Sequence, residues 1–281
     1  MKRNKVVTLF FLLLVSFLMP KNTDAQIIEV GLSGDYSYYV GDINPKKHFS
    51  QSAFGFGGVV RYYDNLRWAF RFQYSNLNLQ ASDEVVDFRP ERALAFNSKL
   101  NDFALLAEFN FFEYWTGSNR AYITPYIFGG ISVFNYNSFA PDGTALQPLN
   151  TEGNFVEDES GNPVPDYYSK NSFSIPFGLG VKYSLCERIG MTLEWRIHKT
   201  FTDYIDDIHG KYPELENHAV VNGYDYTDPT GKFEPQMQRG NGDAKGFGYN
   251  NDWIGTLELS FVYRFNLPRK DACHSGIKAR F

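Results

Sequence analysis

Between positions 172 and 185 the chain alternates without a break between two kinds of side chain. Odd positions hold Phe173, Ile175, Phe177, Leu179, Val181, Tyr183 and Leu185; even positions hold Ser172, Ser174, Pro176, Gly178, Gly180, Lys182 and Ser184. Successive side chains of a strand point to opposite faces. The segment is therefore a strand with one wholly apolar face and one that is small or polar, a sharp boundary between two surroundings. A helix would put both kinds on every side.

The same split recurs along the chain. In 27–39, Ile28, Val30, Leu32, Tyr36 and Tyr38 oppose Glu29, Gly31, Ser33, Asp35 and Ser37. In 53–62, Phe54, Phe56, Val60 and Tyr62 oppose Gly55, Gly57 and Arg61; in 66–76, Leu66, Trp68, Phe70, Phe72 and Tyr74 oppose Arg67, Arg71, Gln73 and Ser75. Phe103, Leu105, Phe109 and Phe111 oppose Glu108 and Asn110 in 101–111. The segments 188–198 and 252–266 set Met191, Leu193, Trp195 and Leu257, Leu259, Phe261 against Thr192, Glu194, Arg196, His198 and Thr256, Glu258, Ser260, Arg264. Only 121–137 resists the reading: Tyr126, Phe128, Phe134 and Tyr136 share one face while Ile127, Ile131 and Val133 occupy the other. We assign it to a strand because it is aromatic and β-branched with no helical period, with Pro125 near its start, where a missing donor matters least.

Eight strands result. Each covers the roughly 9–11 residues that a tilted strand needs to cross hydrocarbon, and the number is even, as in single-chain bacterial barrels. The connections alternate in length. Tyr63-Asp64-Asn65, 112–120 and Cys186-Glu187 are short; 40–52, 77–100, 138–171 and 199–251 are long. Short periplasmic turns and longer outer loops are the rule for outer-membrane barrels, whereas a soluble sandwich has no reason to gather its long loops at one end. The expected fold is all-β: an eight-stranded antiparallel transmembrane β-barrel, with Trp68, Trp253 and strand-end tyrosines as interface girdles.

Composition agrees. Aromatic residues make up 17% of the 281 positions and charged residues only 21%, which suits a chain that covers itself against lipid. A net charge of −5 argues against a nucleic-acid partner. Lys2, Arg3 and Lys5, then an apolar run from Val6 to Met19, then Thr23-Asp24-Ala25, read as a signal peptide over 1–25 cleaved after Ala25. The run is too short for a spanning helix, which needs about 20 apolar residues. We expect the barrel over 26–267, a basic periplasmic tail over 268–281 with Arg269, Lys270, Lys278 and Arg280, and a place in the outer membrane of a Gram-negative cell. The two cysteines, Cys186 in the turn between the sixth and seventh strands and Cys273 in the tail, fall on the same side and are candidates for a disulfide.

The polar face carries Glu29, Asp35, Arg61, Arg67, Arg71, Glu108, Lys182, Glu194, Arg196, Glu258 and Arg264. An eight-stranded barrel is just wide enough for side chains to fill it, and an unpaired buried charge costs about 3–5 kcal/mol. Acids and bases are nearly balanced, so we expect a paired lumen network rather than an ion path. Gly178 and Gly180 on that face suit close packing. Other chemistries have weaker footing. His198-Lys199-Thr200 with Glu194 or Asp203 mimics a hydrolytic dyad, but threonine is a poor nucleophile without a terminal amine. Asp203, Asp206 and Asp207 offer oxygen ligands for Ca²⁺, yet their spacing matches no calcium loop and a solvated turn is the simpler expectation. Gly240-Asn241-Gly242 has no strand–helix context for phosphate. We expect no catalytic residues, no cofactor, no metal and no small-molecule substrate.

Several stretches carry a more specific likeness: Tyr39-Val40-Gly41-Asp42-Ile43-Asn44-Pro45, Thr124-Pro125-Tyr126-Ile127-Phe128-Gly129-Gly130, Phe173-Ser174-Ile175-Pro176-Phe177-Gly178-Leu179-Gly180, Glu194-Trp195-Arg196, Lys199-Thr200-Phe201-Thr202-Asp203-Tyr204-Ile205-Asp206-Asp207 and Gln238-Arg239-Gly240-Asn241. In this order, over about 27–266, they resemble the PorG family, an outer-membrane component of the type IX secretion system of Bacteroidota. The resemblance implies an eight-stranded barrel that anchors a periplasmic ring of PorK-type lipoprotein and PorN, without being the conduit, and it supplies no catalytic residues. Two readings compete: a general small barrel for envelope integrity or adhesion, and a lipid-modifying barrel enzyme.

Overall fold

The computed structural model describes residues 27–118, 121–158, 160–232, 239, 242–248 and 250–266. The proposed signal peptide (1–25) and tail (268–281) lie outside them. The eight long strands are β1 (Ile27–Val40), β2 (Ala53–Tyr63), β3 (Trp68–Ser82), β4 (Ala95–Asn110), β5 (Ile123–Phe139), β6 (Asn171–Ser184), β7 (Ile189–Thr200) and β8 (Trp253–Asn266). All neighbours are antiparallel, and β1 pairs with both β2 and β8, so the sheet closes on itself and no edge is left open. Closure is what lets strands stand in hydrocarbon, because every ladder group finds a partner. Among the described residues no helix is long and apolar enough to cross a membrane.

The outward positions form a continuous apolar belt. Leu32 on β1, Phe54 on β2, Leu105 on β4, Ile131 on β5 and Leu179 on β6 are 75%, 67%, 58%, 65% and 56% exposed. Left in water, each such side chain forfeits on the order of 1 kcal/mol or more of transfer free energy, and there are dozens of them. On β6 the belt runs from Phe173 to Tyr183; at the usual rise and tilt this stands about 25 Å tall, the height of a hydrocarbon band. The fold is that of a transmembrane barrel.

Strands β3 to β5 are longer than the membrane requires, and above the belt their polarity inverts. On β3 the outward series Trp68, Phe70, Phe72, Tyr74 continues as Asn76, Asn78, Gln80, while the inward series Ala69, Arg71, Gln73, Ser75 continues as Leu77, Leu79, Ala81. On β4, Asn97, Lys99 and Asn101 face out while Phe96 and Leu100 are buried. Past the lipid the outer wall meets water, so the barrel there has an ordinary apolar core. This corrects the expected loop 77–100: most of it is strand, and the connection is only 83–94, with a single helical turn and a 3₁₀ turn. The parity rule, tuned to apolar-outside, stops at the boundary where its sign changes.

The same physics resolves β5. Tyr126, Phe128, Phe134 and Tyr136 point inward and are buried, and Ile127, Ile131 and Val133 face lipid. The inward rings have room because the facing strand has none. Tyr126 pairs with Gly180 and Phe128 with Gly178, and a Cβ at those glycines would lie 2.8 Å and 2.7 Å from the two rings. Glycines on β6 and aromatics on β5 are two halves of one packing.

The long connections 41–52, 83–94, 140–170 and 201–252 all leave the same end. Their described residues fold inward over it as a cap. Ile43, Val86, Leu94, Leu146, Ile205 and Ile208 come from the four loops and join Leu77, Leu79, Phe96, Leu100 and Tyr136 of the strands in one core.

Candidate functional site: the sealed lumen and its cap

Below the cap the lumen is a ladder of ion pairs. Glu108 on β4 is its hub: Arg61 Nε lies 2.8 Å away, Arg71 Nε 2.9 Å and Lys182 Nζ 2.5 Å. Arg61 also reaches Glu29 at 2.7 Å, and Arg71 reaches Glu194 at 2.7 Å. One layer higher, Arg196 contacts Glu258, with Asp35 at 3.5 Å and Glu194 at 3.7 Å. Each of these charged groups is at most 1% exposed. Neutral groups fill some of the remaining valences, while Arg61 Nη2, Arg196 Nε and Nη1 and Glu258 Oε1 keep no hydrogen-bond partner among the described residues. The hydroxyls of Thr116 (2.5 Å) and Tyr63 (3.3 Å) donate to Glu29, Gln73 donates to Glu258 at 2.5 Å, and Tyr126 donates to Glu194. Charges of both signs, alternating around a narrow wall, pair with one another, which offsets much of the cost of burying them.

The structure thus brings together nine of the sequence-derived lumen positions: Glu29, Asp35, Arg61, Arg71, Glu108, Lys182, Glu194, Arg196 and Glu258. Two stand apart. Arg67 is exposed in the β2–β3 turn and donates to the Phe111 carbonyl at 3.0 Å, because the strand begins only at Trp68. Arg264 is half-buried at the lower rim and donates to the Thr116 carbonyl at 2.5 Å. One inward acid escaped the sequence reading. Asp102 on β4 is 2% exposed, and neither of its oxygens has a hydrogen-bond partner among the described residues; its even parity with Glu108 and Asn110 was the available signal.

The lower end is also closed. Residues 111–118 of the β4–β5 connection tuck beneath the barrel, where Tyr114 packs with Ile27, Tyr63 and Ala69. Gly117, with φ +90°, passes so close to the Glu187 carbonyl that a Cβ would lie 2.1 Å from it, a position that requires glycine. Cys186 is exposed in the β6–β7 turn; Cys273, the proposed disulfide partner, lies outside the described residues.

In the cap the acidic stretch is not the solvated turn expected from its composition. Asp203, Asp206 and Asp207 are 6%, 2% and 3% exposed. Tyr39 is the reason for two buried acids: its hydroxyl lies 2.5 Å from Asp206 and 2.7 Å from Asp252, and it accepts the Asp42 N–H at 2.8 Å. A phenol has one proton to give, so the pair of carboxyls it bridges must hold another. Burial first, and then repulsion from neighbouring acids (Asp252 and Asp42 acting on Asp206, Asp203 and Asp42 on Asp252), push both carboxyls well above the usual carboxylate range. Burial likewise raises Asp203, paired with His209 at 2.7 Å, to about 6. Asp207 accepts from Thr151 and from Tyr168. Arg92 fastens three loops, holding Asp83 with two hydrogen bonds (2.6 and 2.9 Å) and the carbonyls of Asp42 and Lys245. Among the described residues no cluster of acids, histidines and cysteines has a metal-holding arrangement.

The residues of the hydrolytic alternative are not assembled. His198 and Thr200 both point inward, but Thr200 donates to backbone carbonyls of Asp252 and Thr202, and His198 Nδ1 lies 3.1 Å from the Ser174 hydroxyl. Glu194 is engaged by Arg71, and Asp203 by His209.

A family model described as a domain of unknown function, DUF6089, matches residues 6–226. The chain belongs to that family. The match runs through β7 and into the last cap loop. No curated protein matches. Among solved structures, this DUF6089 member is similar to Ail, the attachment invasion locus protein of Yersinia pestis, solved with a heparin analogue (11% identity, 86% of this chain and 100% of that one, TM-score 0.40). It is similar also to Neisserial surface protein A (12%, 86% and 100%, 0.40) and to the outer membrane protein OprG from Pseudomonas aeruginosa (13%, 86% and 96%, 0.40). Identities and scores at this level transfer no property to this chain.

Proposed function

We propose that this barrel is a non-conducting anchor in the outer membrane that holds a periplasmic protein assembly in place. The carrying observation is the lumen. Its charges are paired around Glu108 and Arg196, with the lid of 111–118 below and the loop cap above. A barrel filled in this way serves by its position and its surfaces. The apolar belt and the four long loops at one end support an outer-membrane placement, with the tight turns facing the periplasm.

Within that role, the likeness to the PorG family points to the type IX secretion system, with a PorK/PorN-type lipoprotein ring as the partner. Tyr39, Asp42 and the Lys199–Asp207 stretch, which carry much of that likeness, build the cap and its seat, so they speak for a shared architecture. The anchoring surface falls to the periplasmic side, where the turns 64–67, 111–122 and 185–188 emerge. The test is crosslinked affinity purification of the full-length protein from outer membranes, together with a deletion strain. Recovery of ring lipoproteins and loss of export of type IX cargo are expected. Normal export with no ring partner recovered would refute the secretion role and favour a general envelope barrel.

A further inference from the structure

We propose that the outer wall across β7, β8 and β1 binds the phosphorylated sugar headgroup of an outer-leaflet glycolipid. A cavity of about 600 Å³ opens there, above the point where Val40, Trp253 and Lys199 stand side by side on the three strands. Asp42 and Pro45 from the first loop and Phe247, Asn250 and Asn251 from the last loop complete it.

Its depth is fixed by what lies below. Trp195 Nε1 donates to the Tyr38 hydroxyl at 3.1 Å across Gly255, whose missing side chain leaves space for the Tyr38 ring. Phe49 of the first loop packs on Tyr38 with ring centroids 4.7 Å apart. Aromatic rings with polar tips, on the lipid-facing wall, mark the level where hydrocarbon gives way to headgroups. The cavity therefore stands at headgroup depth.

Its chemistry is that of a sugar phosphate. Trp253 and Phe247 offer flat apolar faces for a pyranose ring, and two asparagine amides can both donate and accept for its hydroxyls. On the floor, Asp42 is 1% exposed: Oδ1 accepts the Phe247 N–H at 3.1 Å, while Oδ2 has no hydrogen-bond partner among the described residues. A hydroxyl donor suits it and a phosphate does not. The cations are at the rim. Lys199 Nζ lies 5.9 Å from the Trp253 ring centroid, and Arg89 Cζ 5.8 Å from that of Phe247. Lys46, next to Pro45, is exposed. None of the three makes an ion pair with a carboxylate among the described residues, although the surrounding loops are acidic. Unpaired cations around a sugar-shaped cavity are placed to take phosphate groups.

The test uses the full-length protein folded in detergent micelles, titrated with bisphosphorylated lipid A and followed by native mass spectrometry. Retained heat-modifiable migration on gels verifies that each variant is folded. Two membrane-surface cations contribute about 1 kcal/mol each, so Lys199→Ala/Arg89→Ala should bind lipid A about thirtyfold more weakly. Lys99→Ala, a cation on the far wall, should bind as the parent does, and lipid A stripped of phosphate should bind more weakly to the parent. The proposal is overturned by parent affinity in the double variant, by equal weakening in Lys99→Ala, or by dioleoyl phosphatidylglycerol or phosphatidylethanolamine binding as tightly as lipid A. These outcomes are independent of any periplasmic partner.

Discussion

Replacing Glu108 with glutamine isolates the hub of the lumen. Of the three cations on this carboxylate, two keep another acid: Arg61 retains Glu29 and Arg71 retains Glu194, each at 2.7 Å. Among the described residues Lys182 has no other carboxylate contact, and it sits between the Tyr63 and Tyr126 rings, 5.1 and 4.5 Å from their centroids. The cost of Glu108→Gln is thus chiefly one buried ammonium left without its acid, about 3–5 kcal/mol, eased slightly by the glutamine carbonyl and by the two rings. Lys182→Met should cost far less, below about 2 kcal/mol, because Glu108 keeps two arginines. The double variant should recover most of the loss, since it removes the stranded charge along with its partner. Urea unfolding in phospholipid vesicles, read by heat-modifiable gel migration and tryptophan fluorescence, measures all three. If Lys182→Met costs as much as Glu108→Gln, or if both fall under about 1 kcal/mol, the lumen is hydrated and the pairing argument fails.

Other outcomes follow from particular contacts. Gly180→Val should lower folding yield and stability by about 1–3 kcal/mol, because a side chain there meets the Tyr126 ring and the Leu193 carbonyl; Tyr126→Ala in the same chain should recover part of the yield. On β4, Leu105→Arg should cost about 2–4 kcal/mol in vesicles while Asn101→Arg costs at most about 1, a depth profile that places the edge of the hydrocarbon; equal costs would contradict the polarity inversion. The cap should lose stability as pH rises. Asp203, Asp206 and Asp252 hold their protons more tightly folded than unfolded, so the folded state gains from low pH and that gain is lost on ascending, for Asp203 between about 4 and 6. Limited proteolysis of the outer loops should quicken from pH 4 to pH 7, and Asp203→Asn should flatten that part of the profile; a cap that tightens over this range refutes the assignment.

The alternation that announces β6 was readable because both of its faces keep one character along the whole strand. Legibility failed where a face changes surroundings part-way. Leu77, Leu79, Phe96 and Leu100 are inward and apolar, so a rule that sends apolar residues to lipid cuts the strands at Asn76 and Asn101. It failed again at β5, where the space vacated by Gly178 and Gly180 lets tyrosine and phenylalanine turn in. The charged lumen was legible from parity, down to Glu108 and Lys182, but which acid meets which base depends on register and height around the wall. The cap was not legible at all. Tyr39, Asp42, Arg92, Asp206 and Asp252 come from four distant stretches, and acidic loops rich in glycine and asparagine read as solvated until their closure over the barrel is seen.

A sealed lumen is the claim on which the anchor reading stands, and single-channel recording tests it most directly. The full-length barrel, reconstituted into a planar bilayer from a preparation shown to be folded, should give a flat current trace at every voltage the bilayer tolerates. Steady, reproducible conductance steps from the folded protein would contradict the account.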